Sequence, residues 1–158
     1  MTTANNVADW FLSRIDGNRG DTISPLKIQK LIYYAQAWHF TLFNAPIFEE
    51  NFEAWQHGPV VRSVFDRFRH IPIYNSINLS EEKVEETKFD EETIELLEDI
   101  LTIYGEHNAA YLEDLTHSED PWIIARGDTP SVGRCENVIT LETMKKYYSK
   151  ILNGHKSS

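Results

Sequence analysis

A mainly α-helical single domain, with one small extended or β-ribbon element between its second and third long helices, is the fold class the sequence predicts. Apolar residues recur at three- and four-residue spacing along most of the chain, and capping residues or prolines stand where these runs begin. Only residues 47–55 approach a period of two. The core is expected over about 4–152, followed by a short flexible tail, with no internal repeat or low-complexity tract.

Ala4, Val7, Ala8, Phe11, Leu12 and Ile15 fit one helical face, with Thr3 as N-cap and Gly17 as stop. Ser24-Pro25 opens the next helix, because a cap hydroxyl precedes a proline whose missing N–H costs nothing at the first helical position. That helix runs to about Leu42 and is apolar on more than one side, interrupted by Lys27, Lys30 and Gln36, so it is expected to be central. Asn44-Ala45-Pro46 ends it. Two short strands or a ribbon are expected over 47–55. Gly58-Pro59 marks a turn, with Pro59 as the first residue of a helix that faces inward through Val61, Val64, Phe65 and Phe68. Residues 71–88 read as the most mobile segment. Asp90 caps a helix burying Ile94, Leu97, Leu101 and Tyr104, and Gly105 closes it. Asn108 opens a shorter helix through Leu115, and Asp120-Pro121 repeats the cap-then-proline signature. Thr140 caps a last helix with Leu141, Met144, Tyr148 and Ile151 inward, ended by Asn153-Gly154.

With 25 acidic against 15 basic residues the formal charge is -10, which argues against direct nucleic-acid binding. Residues 81–120 hold 15 of the acidic residues against Lys83 and Lys88, so the acidity belongs to one segment, read as one acidic surface. Cys135 is the only cysteine, which excludes an intrachain disulfide and a Cys-based zinc site. No signal peptide or membrane span is read, and a reducing, cytoplasmic setting is expected.

The spacings that announce catalysis are missing. There is no phosphate-binding glycine loop, no nucleophile elbow and no His-Glu-x-x-His pair. No two of the six histidines stand three or four residues apart, so neither a metal nor a cofactor is expected. His117-Ser118-Glu119-Asp120 is the densest polar cluster. It reads as a helix end and capping turn, with His117 where the helix dipole favours a cation. Lys27 and Lys30 lie on a helix otherwise rich in core residues, so they either snorkel to the surface or reach a carboxylate such as Glu53.

Three stretches, 23–38 (ISPLKIQKLIYYAQAW), 53–61 (EAWQHGPVV) and 115–122 (LTHSEDPW), together resemble the Panacea antitoxin domain, also described as SocA-like or phage-associated GepA-like. The resemblance extends from Ala4 to about Ile151. It implies a non-enzymatic, bacterial or phage-borne antitoxin that neutralises a cognate toxin, encoded by the adjacent gene, through direct protein binding. It also implies one alternative, an adaptor delivering the toxin to an ATP-dependent protease; the competing class, which the resemblance does not imply, is an enzyme reversing the toxin's modification through His57 or His117. The DNA-binding domain that some relatives add is not expected here.

On that resemblance, Lys27, Lys30, Tyr33, Tyr34, Trp55, His57 and Trp122 are the candidate toxin-binding residues. Lys27, Lys30, Tyr33 and Tyr34 could equally form a buried polar network, and the aromatics could be core or interface anchors. Ser24, Pro25, Gly58, Pro59 and His117 are assigned structural roles.

Overall fold

A helix with no solvent face needs neighbours on every side, and the second helix of this chain has them. In the computed structural model, which describes residues 2–157, α1 spans Ala4–Ser13 and α2 spans Pro25–Phe43. A hairpin of β1 (Phe52–Trp55) and β2 (Gly58–Val60) follows, then α3 (Arg62–Phe68), α4 (Glu91–Ile103), α5 (Ala109–His117) and α6 (Asp120–Arg126). The two-residue β3 (Val138–Ile139) and α7 (Leu141–Ser157) complete the fold. The mainly α expectation is met. The antiparallel sheet has the order β2-β1-β3, with Ala54 opposite Pro59 and Phe52 opposite Ile139.

Between Pro25 and Ala37 only Lys27 escapes full burial, and α7, α4, α5, α3, α1 and β2 surround α2. Polar groups inside such a helix need partners, because an unmade buried hydrogen bond costs about 1–3 kcal/mol. Gln29 satisfies Val61 twice, donating to its carbonyl and accepting from its N–H, each at 3.1 Å. Gln36 donates to Phe48 O and accepts from Ile47 N, each at 2.7 Å. Two residues read as polar or unremarkable thus fasten the extended segments to the core.

The caps expected at Thr3, Ser24, Asp90 and Asn108 each accept the expected backbone N–H. Other local readings are corrected. The first helix ends at Ser13, and Gly17 begins a separate 3-10 turn. Pro59 lies in β2 and α3 begins at Arg62; β2 is an edge strand, where a residue without an N–H is tolerated. On α4 the buried face is Thr93, Leu96, Leu97 and Ile100, about one position earlier than the apolar spacing suggests, with Leu101 and Tyr104 partly buried beside it, and Thr93 meets His39 through a 2.9 Å bond to its hydroxyl. The residue before α6 is Glu119 rather than Asp120, and its side chain turns into the core instead of capping. Asn153 and Gly154 lie within α7, a tolerated interior glycine costing about 1 kcal/mol. The expected tail is therefore helix as far as Ser157, and Ser158 lies outside the described residues.

Residues 71–88 are irregular but anchored. Ile77 is buried and donates to Ile23 O at 2.8 Å, Leu26 N donates to Ile73 O at 3.1 Å, and Arg67 pairs with both Asp9 (2.7 Å) and Glu82 (3.1 Å).

Candidate functional site

The three sequence stretches meet beneath the β1–β2 turn. Lys30 of α2 is fully enclosed at 0% exposure, and its Nζ has no hydrogen-bond partner among the described residues. Gly58 lies directly against it: a Cβ there would stand 2.6 Å from Lys30 Cε, 2.8 Å from its Nζ and 3.0 Å from Thr116 Oγ1 of α5. Burial lowers the Lys30 pKa to about 7, against the opposing pull of the Glu113 charge. Glu113 also meets His57 Nδ1 at 3.1 Å and accepts from the Tyr74 hydroxyl at 3.3 Å. Lys30 therefore neither snorkels nor reaches Glu53, which accepts instead from Trp55 Nε1 and Arg62.

His117 ends α5 as expected but is not poised as a cation. Its ring stacks on Trp122 at 4.1 Å, and burial holds its pKa below the usual value, the pull of Glu113 being weaker. Trp122 is itself buried and donates from Nε1 to Trp55 O at 2.8 Å. Arg126, unnoticed in the sequence, clamps the same strand. Its guanidinium donates to Ala54 O at 2.8 Å, to Gly133 O at 2.5 Å and to Pro130 O.

Tyr33 and Tyr34 face a second interior group. The Tyr34 and Tyr148 hydroxyls both donate to Glu119 Oε1, at 2.7 and 2.9 Å, and Tyr148 also meets the Tyr33 hydroxyl at 3.2 Å. Tyr34 stacks on Tyr104 at 3.9 Å. Burial raises the Glu119 pKa from 4.5 to about 7, although both tyrosine hydrogen bonds act to lower it. A carboxyl whose folded pKa is raised contributes stability that is complete below its unfolded pKa and lost as pH rises through the folded one. Glu119 should therefore cost the fold about 3 kcal/mol between pH 4.5 and 7. Glu119→Gln is expected to flatten that slope in thermal unfolding from pH 4.5 to 8; an unchanged slope would place the titration elsewhere.

Of the seven candidate binding residues, Lys30, Tyr33, Tyr34 and Trp122 are thus enclosed. Lys27 is half-buried, with Nζ donating to Gly105 O at 2.6 Å. Trp55 and His57 reach the surface, where they border a groove of about 500 Å³ between the start of α2, the hairpin, α3 and residues 69–73. Val60, Val64, Phe65 and Phe68 are among the apolar residues that line it. The expected single acidic surface is only partly realised. Glu91, Glu92, Glu95, Glu98 and Asp99 are exposed along α4, whereas Glu113 is engaged by His57 and Glu119 lies inside.

The family model for the antitoxin SocA-like, Panacea domain matches residues 28–123, more than half of the chain. The chain belongs to this family. Its matched Panacea segment includes Lys30, Gly58, Glu113 and His117, so the enclosed lysine and the turn above it lie within the family's own span. It is shorter than the resemblance read over 4–151, leaving α1 and α7 outside it although both pack on α2. No curated protein and no solved structure matches the chain. No helix among the described residues is long and apolar enough to cross a membrane, and no three His, Cys, Asp or Glu side chains among them are placed to hold a metal ion.

Proposed function

We propose that this protein is an antitoxin that neutralises the product of the adjacent gene by binding it directly, using the groove bordered by Trp55 and His57. The observation that carries the reading is the open apolar groove bordered by Trp55 and His57, in a chain of an antitoxin family. Trp, Tyr and Arg side chains are enriched among the few residues that carry most interface energy. Trp55 is held in place there by Phe65 at 4.9 Å and by Arg62 above its ring. Lys30, Trp122 and Arg126 support the hairpin from behind. The lone cysteine fits a reducing, cytoplasmic setting.

Co-expression with the adjacent gene product tests this. The product should be toxic alone, should co-purify with this chain and should be neutralised at about one antitoxin per toxin, since occlusion consumes a site for each toxin. Neutralisation at a small fraction of that ratio would mark an enzyme, and falling toxin levels would mark a protease adaptor. Trp55→Ala is expected to lower toxin affinity by ~30-fold or more, a hot-spot loss of at least about 2 kcal/mol. Circular dichroism of the variant should still show a folded helical protein; retained affinity would move the interface elsewhere. Lys27→Glu would disturb the Gly105 carbonyl contact and so reports on the fold rather than the interface.

A further inference from the structure

The chemistry of the groove describes what should enter it. The chain carries 25 acidic residues, yet no carboxylate lines this groove; its charged or titratable lining residues are Arg69, His57 and His70. Asp66 approaches Arg69 at 3.7 Å from outside the lining, but both side chains are more than 60% exposed, so that pair holds the guanidinium only weakly. Glu113 faces His57 and is shared with Tyr74. Arg69 also lies 5.9 Å from the Phe65 ring, which places its charge over the apolar wall.

We infer that the groove receives an amphipathic segment of the toxin, whose apolar side chains enter between α2 and α3 and whose acidic side chains meet Arg69 and His70. The inference rests on the antitoxin reading and deepens it. A volume of about 500 Å³ is in the range of formed binding pockets, roughly 300–1,000 Å³, and suits the few anchors that one helix face presents. A segment with basic flanks would bring its charges against Arg69 with no lining carboxylate to receive them, and like-charge juxtaposition is how interfaces reject wrong partners. The overall negative charge of the chain opposes this only at a distance, and at physiological salt that field is screened beyond about 8 Å.

The test uses the full chain co-expressed with the adjacent gene product, with a benzophenone photo-crosslinker in place of Ile71 on the groove wall. Irradiation is expected to join it to one toxin segment that combines helically spaced apolar residues with carboxylates. In parallel, Arg69→Glu should weaken toxin binding about tenfold or more, and more at low salt than at high, whereas Arg69→Lys should stay within about threefold. Arg69 is exposed, so neither change should disturb folding. A crosslink to a basic segment, a crosslink to a second copy of this chain, or no crosslink while the toxin still co-purifies would each overturn the inference and leave the antitoxin reading standing. If the product does not co-purify with the unsubstituted chain, the antitoxin reading falls and this inference falls with it.

Discussion

Replacing Gly58 by alanine is expected to destabilise the protein by about 2–4 kcal/mol, read as a lower urea midpoint. Two costs combine. Gly58 sits at φ +117, where a residue with a Cβ is strained by about 1–3 kcal/mol. The new methyl would also press on Lys30 Cε at 2.6 Å and stand 3.0 Å from Thr116 Oγ1, and the lysine is fully enclosed, so its far end has little room to yield. Overpacking of this kind adds about 1–3 kcal/mol. The two costs separate in a double-mutant cycle. In a Lys30→Ala background the steric part disappears and the dihedral part remains, so the cycle should show coupling of about 1 kcal/mol or more between the two sites. Strict additivity would mean that the glycine is needed for its backbone alone. Because the turn carries His57 and adjoins Trp55, Gly58→Ala should also reduce toxin binding in proportion to the unfolded fraction.

Features decided within four residues were legible in the sequence, and features decided by distant partners were not. Thr3, Ser24, Asp90 and Asn108 cap helices because each acts on an N–H three positions on, so pattern and structure agree. Gly58-Pro59 has the same local look as a helix start, but Ala54 stands opposite Pro59 and draws it into an edge strand. The α4 face lies about one position from the apolar spacing, and its Thr93 is met by His39, 54 residues earlier, a partner that local spacing does not announce. The site follows the same division. Motif spacing singled out Lys30, Gly58 and His117, whereas the supporting residues Gln29, Glu113 and Arg126 reach Val61, His57 and Ala54, each more than thirty residues away, contacts that no local pattern announces. Glu119 stands in a polar cluster with the local look of a capping turn, but Tyr34 and Tyr148, 85 and 29 residues away, donate to it inside the core.

Lys30→Met is expected to raise stability at pH 7 by about 3–5 kcal/mol, the opposite of what removing a motif residue usually does. The lysine's folded pKa is depressed from 10.5 to about 7 by burial, so its favourable contribution is complete only above the unfolded value and is lost as pH falls toward 7. Methionine has a similar length, carries no charge to desolvate and gives up no hydrogen bond, because Lys30 Nζ makes none among the described residues. Replacing buried charge with a well-packed apolar side chain is often stabilising for this reason. The pH dependence decides the case. From pH 7 to 9.5 the unsubstituted protein should gain on the variant by up to about 1.4 kcal/mol per unit, closing the gap. Measurements should stop there, because burial also raises the pKa values of Tyr33, Tyr34 and Tyr148, whose retained protons lower stability once the unfolded tyrosines ionise near 10. A variant that is less stable at pH 7 with an unchanged slope would mean that Lys30 is charged and well compensated by Glu113. Toxin rescue supplies the second readout. The Lys30 charge acts on Glu113, and Glu113 holds His57 at the groove edge. A variant that unfolds later yet neutralises less well would show that this lysine serves the presentation of the hairpin at the expense of stability, as residues kept for function often do.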